Sequence, residues 1–395
     1  MIPYYSPNFY LKDLLASLFR PNSQREVEEY FRQYSGKKHI LFTASCRSAL
    51  YLAYNALDKR GSVITSPLTC RSALDPIVWS GNRMLFADVD LNTLNHSESA
   101  ILGLLDQKPI AIQVINHGGI AYDTKRLKER IQEPCIVIED CAQAFGAERN
   151  GFPAGYYADV ACYSLIKNAY GIGGGILATN NLSIYENAKK EQAEFPAFPL
   201  LIASYRLIKN TLESYRQKKI VNSVLSNLVS VRRSGDKNDP ESKTKFLKKP
   251  HRLFSTTFAH QLKKIQKLHK QRSSLGVFFI EKLRENRLIS NYNGLDLSAS
   301  SFTKLFVYNP SFNSGKVISS ICQKGIEAKH LEQKADSSVQ PLINTIYSSE
   351  KYEGLETCEN YIKINEMIVS LPLYEKMRTR DINTIIDNLK ECLKI

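Results

Sequence analysis

Short apolar runs alternate with amphipathic stretches along the first half of the chain. KHILFTA reads as a strand, and CRSALYLAYNAL as a helix with apolar residues three and four apart. SVITSPL, RMLFADVD, IAIQVIN and CIVIED read as further strands. Between them, SALDPIVWSG reads as a helix ended by Gly81, and DTKRLKERIQ as a helix capped by Asp123. ADVACYSL and GILATN follow as strands. This alternation predicts an α/β fold, with a doubly wound, mainly parallel central sheet and helices on both faces.

The pattern then changes. Residues from about 185 to 232 read as helical and basic, and RRSGDKNDPESKTK as a polar loop. FAHQLKKIQKLHKQRSSLGVFFIEKLRE predicts a long helix. It leads into an α+β tail with a strand in KLFVYNP, a segment KVISSICQKGI and a terminal helix in TRDINTIIDNLKECL. The chain therefore divides into a large domain over 1–195, a basic helical insertion and mobile loop over 196–250, and a smaller C-terminal α+β domain over 251–395.

Composition narrows the class. Hydrophobic residues make up 43% and charged residues 23% of 395, ordinary for a globular protein with an ample core. The first residues carry no basic stretch followed by an apolar run, so no signal peptide is expected. No apolar run reaches membrane-spanning length. The eight cysteines form no C-x-x-C pair and show no zinc spacing. They read as reduced thiols of a cytoplasmic protein, and no metal is expected.

The formal charge is +14, and it is uneven: between Pro196 and Pro250 twelve Lys and Arg face four Asp and Glu. No zinc-finger, RRM or helix-turn-helix signature accompanies the charge, so nucleic acid is not an expected partner. Within 199–233, Leu201, Tyr205, Ile208, Leu212 and Tyr215 are spaced alternately four and three apart. Arg206, Lys209, Arg216, Lys218 and Lys219 lie on the other face. One reading is a helix pair packed on the protein at a substrate entrance. The other is a peripheral contact with the inner membrane face.

Candidate chemistry falls at strand ends, where α/β sheets bind ligands. In TASCRSAL a strand turns into a helix N-terminus. The amides there, with the Ser45 hydroxyl, form a natural phosphate cradle; read alone, the segment is better taken as a helix cap by Ser45. In CIVIEDCAQAFGA, Asp140 ends an apolar strand and needs a partner; read alone, it is equally a cap of the next helix. In ACYSLIKNAYGIGGG, Lys167 stands between an apolar run and glycines, where an amine suits imine chemistry; the alternative is a snorkelling surface lysine. GIGGG does not match a dinucleotide fingerprint, and no helix opens after it. A phosphate cradle, a buried carboxylate and an imine-forming lysine together describe a pyridoxal 5'-phosphate site.

These segments resemble the fold type I pyridoxal-phosphate nucleotide-sugar aminotransferases of the DegT/StrS family. TASCRSALYLA is similar to its S-G-T-x-A-L-x-L-A, and IEDCAQAFGA to its E-D-x-A-Q-x-x-G. SPLTCRSALDPIVWSGNRMLFADVDLNTLN, YSLIKNAYGIGGGILATN and INEMIVSLPLYEKMRTRDINTII resemble further blocks, in family order. The resemblance implies Lys167 as Schiff-base lysine and proton shuttle. It also implies Asp140 at the pyridine nitrogen and Gln143, one helical turn on, at the ring or its 3-hydroxyl. Ser45, Ser164 and the amides of Cys46 and Arg47 would hold the phosphate. Arg252 takes the place of the arginine in N-x-R, and Asn116, His117 and Arg252 fall at substrate positions. The chain departs from the pattern where Cys70 replaces an aromatic stacked on the cofactor and Pro250 replaces an asparagine reaching from the neighbouring subunit. Asn116 replaces a frequent histidine.

The resemblance implies amino transfer from L-glutamate to a nucleotide-linked keto-sugar, with a pyridoxamine 5'-phosphate intermediate and a homodimer sharing its sites. A cyclitol or other carbonyl acceptor stays open. So does a non-catalytic basic protein on the same fold.

Overall fold

The computed structural model describes residues 1–395 except 132–133, 216–242, 331–341, 365 and 394–395. Its centre is an eight-stranded sheet. Seven of the strands are β1 (His39–Thr43), β2 (Ser62–Thr65), β3 (Arg83–Phe86), β4 (Ala111–Ile115), β5 (Ile136–Asp140), β8 (Val160–Ser164) and β9 (Gly175–Thr179). A short hairpin, β6 (Glu148–Arg149) and β7 (Phe152–Pro153), lies outside it. Later in the chain come β10 (Leu305–Tyr308), β11 (Tyr352–Glu353) and β12 (Ile368–Leu371). The order across the large sheet is β1-β9-β8-β5-β4-β2-β3-β11.

The mainly parallel sheet is as expected, with one reversal. β9 runs antiparallel to both of its neighbours, β1 and β8. It follows β8 through a tight loop, too short for the crossover that a parallel return needs. That loop carries Lys167.

Every residue of β4, β8 and β9 is buried. This is the signature of a sheet covered on both faces, and it explains why these strands read as continuous apolar runs. The helices of the first half are α1 (Leu11–Phe19), α2 (Gln24–Ser35), α3 (Cys46–Asn55), α4 (Arg71–Trp79), α5 (Glu98–Gly103) and α6 (Thr124–Arg130). α3 is buried along almost its whole length, Arg47 and Asn55 excepted. Its N-terminus is thereby held against the ends of the central strands. Asp123 caps α6 as expected, accepting from the Arg126 amide at 3.1 Å.

After β9 come α7 (Leu182–Ala193) and α8 (Leu200–Glu213). α8 is the described part of the basic amphipathic segment. It buries Ala203, Leu207 and Thr211 and exposes Leu200, Leu201, Ile202 and Ile208. Its expected continuation over 216–233 lies outside the described residues, as does the loop over 232–242. Residues Lys243–Phe246, partly expected as loop, form a helical turn.

The long helix spans Arg252–Glu285 and begins six residues earlier than expected. β10 and β12 pair antiparallel, next to the helices Ser314–Gln323 and Thr379–Leu393. The C-terminal region is laced to the rest: β11 joins the edge of the large sheet beside β3, and Ile2 bridges Ile326. Among the described residues, no helix is long and apolar enough to cross a membrane.

Candidate active site

β1 ends at Thr43, and two residues later Ser45 stands at the N-cap of α3. Its Oγ accepts from the Ser48 amide at 3.1 Å, so Ser45 caps the helix. An α-helix leaves its first amides without intrahelical acceptors, which directs the Cys46 and Arg47 N–H groups and the positive end of the helix dipole to this spot. The glycines of the lysine segment make room for the same turn. A Cβ on Gly175 would lie 2.3 Å from the Ser45 carbonyl carbon and 2.4 Å from the Cys46 nitrogen; one on Gly173 would strike the Phe254 ring at 2.5 Å. These glycines let the loop backbone approach that of the α3 N-terminus.

β5 ends at Asp140, which is buried. Asp140 Oδ1 accepts from the Ala142 amide at 2.9 Å and from the Cys46 thiol at 3.7 Å. Burial pushes its carboxyl up, while the Lys167 ammonium pulls it down. The preceding residue points to the other face of the strand. There Glu139 is held by Asn116 Nδ2 at 2.9 Å, Thr124 Oγ1 at 2.8 Å and the Gly155 amide at 2.9 Å. Asn116 Oδ1 accepts from the Tyr122 amide at 2.7 Å, so both polar ends of Asn116 are engaged within the protein.

Lys167 is half-buried in the β8–β9 loop. Its charge acts on Asp140, Cys46 and His117, which brings three strand-end segments together at one point. Ser164, buried at the end of β8, pairs with Gly175 in the ladder. The residue after the lysine fixes the loop: Asn168 Nδ2 donates to the carbonyls of Gln143 at 3.2 Å and Phe145 at 3.1 Å.

Gln143 lies in a turn rather than the expected helix. Its Oε1 accepts from the Gly118 amide at 3.1 Å and so braces the His117–Gly119 turn. His117 stacks on Phe306 with ring centroids 4.2 Å apart, and its buried ring nitrogens have no hydrogen-bond partner among the described residues. Burial, followed by the charges of Lys304 and Lys167, pushes its imidazole down to about 3.

Cys70 stands half-buried at the N-cap of α4. Arg47 lies over the Phe246 ring at 3.8 Å, with Nη1 3.8 Å from Asp75 Oδ2, and Arg71 Nε lies 3.5 Å from Asp75 Oδ1. The Arg47 side chain thus faces α4 rather than the α3 cradle, and the Arg71 contact lies within α4. Arg252 is exposed at the start of the long helix, which His251 caps.

Two features escaped sequence reasoning. Lys304, just before β10, feels the charge of Lys167 and of the Cys70 thiol. A lysine flanking the apolar run LFVY is the same signal that singled out Lys167. The second is a buried cluster of Arg272, Glu375, Tyr170 and Asn168 behind the lysine loop.

Residues 12–201 match the family described as the DegT/DnrJ/EryC1/StrS aminotransferase family. The matched stretch holds the α3 cradle, Asp140 and Lys167 in one block. Over this stretch, nearly half of its length, the chain is similar to the DegT/DnrJ/EryC1/StrS aminotransferases. The UDP-4-amino-4,6-dideoxy-N-acetyl-beta-L-altrosamine transaminase of Campylobacter jejuni is 30% identical over 171 residues, which are 42% of this chain and 45% of that protein. The chain spans about half the length of the curated relatives it matches.

Solved structures extend the likeness in fold. Helicobacter pylori PseC, an aminotransferase involved in the biosynthesis of pseudoaminic acid, superposes with a TM-score of 0.74 at 18% identity, covering 100% of this chain and 99% of that one. A GDP-4-keto-6-deoxymannose-3-dehydratase with a trapped PLP-glutamate geminal diamine gives 0.75 at 16% identity, covering 99% and 100%. The fold is that of the fold type I DegT/StrS proteins, as the resemblance implied.

Proposed function

We propose that this chain is a pyridoxal-phosphate-dependent aminotransferase that moves an amino group from an amino acid, L-glutamate by family expectation, to a nucleotide-linked keto-sugar. The observation that carries the reading is the meeting of Asp140 and Lys167 at the ends of β5 and β8. The donor set fits the cofactor. A buried carboxylate under the influence of a lysine, the first amides of α3, and a histidine with unsatisfied ring nitrogens converge on one spot.

When bound, pyridoxal phosphate supplies an aldehyde that links to amines and a ring that accepts electrons. The Cys46 and Arg47 amides would hold its phosphate at the helix N-terminus. Asp140 would keep the proton on the ring nitrogen, and the surrounding burial strengthens that interaction. Lys167 Nζ would hold the aldehyde and move the proton of the donor's α-carbon. His117 and Phe306 would close one side against water. With Ser45 capping α3, the phosphate role assigned to its hydroxyl is supported less well than the amide roles.

The homodimer and the three-part division at 195 and 250 belong to the same proposal. Exposed Arg252, beside Pro250, would lie toward a neighbouring subunit's site. Light scattering showing an active monomer would overturn the dimer.

Incubation with L-glutamate and a panel of nucleotide-linked 3- and 4-keto-sugars tests the function. Formation of 2-oxoglutarate together with an amino sugar supports it. A reaction that removes a sugar hydroxyl without leaving nitrogen on the product would instead identify a dehydratase.

A further inference from the structure

α1 lies with its faces inverted. Asp13 and Ser17, one turn apart, are buried, while Leu11, Leu15, Leu18 and Phe19 stand out at the surface. The inversion is built in. Asp13 accepts from Lys264 Nζ at 3.0 Å and pairs with His260 Nε2 at 2.9 Å, both on the long helix, and Ser17 Oγ donates to the Asp13 carbonyl at 2.6 Å. A buried carboxylate cannot leave such partners without a large cost. It fixes the rotation of the helix and turns the leucine stripe outward.

α8 packs beside α1 and runs the opposite way. At one end the Phe9 amide, just before α1, donates to Ser214 Oγ at 3.2 Å, and the Tyr10 and Tyr215 rings meet edge to face at 5.6 Å. At the other end the long helix joins the two: Ser255 Oγ donates to Asn22 Oδ1, just after α1, at 3.1 Å, and Phe254 meets Phe198, just before α8, at 4.9 Å. α8 buries Ala203, Leu207 and Thr211 and leaves Leu200, Leu201, Ile202 and Ile208 outside. Phe19 is 85% and Leu201 84% exposed, so the pair of helices carries an apolar surface far beyond scattered single residues. Surfaces of this kind mark interaction sites.

Charge selects the partner. The acids of these two helices are Asp13, buried and paired, and Glu213 at the last position of α8. Lys12, Arg206 and Lys209 lie on the same helices. The long helix under α1 has no Asp or Glu from Arg252 to Ile280 and exposes Lys263 and Lys267. A second copy docked face to face would bring these like charges together. Leucines, isoleucines and a phenylalanine on helices lying side by side, with Lys and Arg among them, are the composition of helices that rest in the interface of an anionic bilayer.

We propose that the α1–α8 face docks the protein on an anionic lipid surface. Leu11, Leu15, Leu18 and Phe19 of α1 and Leu200, Leu201, Ile202 and Ile208 of α8 enter the boundary between headgroups and acyl chains. Lys12, Arg206 and Lys209 meet the headgroups. The contact is peripheral, and its electrostatic part weakens as salt screens the charges.

Flotation of the full chain with vesicles tests this, using phosphatidylcholine alone and an equal mixture of phosphatidylcholine and phosphatidylglycerol. At low salt the wild type should float with the anionic vesicles and stay behind with the neutral ones. Leu15→Gln/Leu201→Gln should lower partitioning about tenfold or more, since covering one leucine side chain contributes about that factor. Lys12→Gln/Lys209→Gln should lower it about fivefold or more on the anionic vesicles. Wild-type protein that ignores the anionic vesicles overturns the proposal, a readout that needs no variant to fold. So does unchanged partitioning of the leucine variant, which would place the lipid contact elsewhere on the basic surface. Light scattering without vesicles reads the competing cover: a wild-type dimer that becomes a monomer in Leu15→Gln/Leu201→Gln would assign the face to a second copy and overturn the docking as well.

Discussion

Arg272 and Glu375 form an ion pair whose side chains are only 3% and 2% exposed, and it ties the long helix to the segment after β12. Arg272 also donates to Asn168 Oδ1 and to the Tyr170 hydroxyl, and that hydroxyl reaches Glu375. Asn168 and Tyr170 follow Lys167 in its loop, so the pair holds that loop from behind. Removing one member leaves a buried charge uncompensated, which costs about 3–5 kcal/mol. Arg272→Met should lower the unfolding free energy by that amount in urea titrations, and Arg272→Met/Glu375→Leu should recover much of it. A double variant as unstable as the single one would show that the pair is not the source.

Asp140→Asn keeps the shape of the strand end and removes the charge. The α-proton step with L-glutamate, followed by stopped-flow absorbance, should slow by about two orders of magnitude or more. An unchanged rate would mean that another group holds the ring proton.

Gly175→Ala probes the cradle. The added methyl would fall 2.3 Å from Ser45 and force the α3 N-terminus away. Cofactor affinity of the apoprotein, titrated by fluorescence, should drop about tenfold or more, since at least one charged hydrogen bond of ~1.5–3 kcal/mol is lost. Wild-type affinity would place the phosphate elsewhere.

The buried histidines predict the acid limb of stability. Burial pushes His96 down to about 4 and His117 down to about 3, against 6.5 unfolded. The unfolded chain therefore binds more protons below about 6.5. The stability these groups contribute is present above that pH and is lost as pH falls toward 4 and 3, at up to about 1.4 kcal/mol per pH unit for each. Glu139 and Asp140, raised by burial, act in the opposite sense. The histidine share is isolated by comparing urea midpoints of the apoprotein at pH 7 and 5 with those of His96→Asn/His117→Asn. The wild type should lose more stability than the variant. Equal losses would assign the acid limb to other groups.

The strands of the first half and the candidates Asp140 and Lys167 at their ends were legible because buried strands write themselves as apolar runs, and these ends break the run with a charge. Direction is not written that way, so the reversal of β9 was invisible. The two residues of β11 are too few to carry a pattern. In α1, Asp13 and Ser17 are buried while Leu11, Leu15 and Leu18 are exposed. Asp13 faces inward because Lys264 Nζ at 3.0 Å and His260 at 2.9 Å meet it from the long helix. Hydrophobic periodicity alone would turn that helix the wrong way. Arg272 and Glu375 come from segments far apart in the chain, and no local signal links them. Lys304 differs: it flanks an apolar run as Lys167 does.

The central claim is that Lys167 carries the cofactor. Reconstituting the protein with pyridoxal phosphate, reducing with borohydride and mapping peptides by mass spectrometry tests it most directly. The prediction is a single phosphopyridoxyl tag on Lys167, absent when the protein is first treated with L-glutamate and absent from Lys167→Ala. A tag on Lys304 or on a surface lysine with Lys167 unmodified would contradict it.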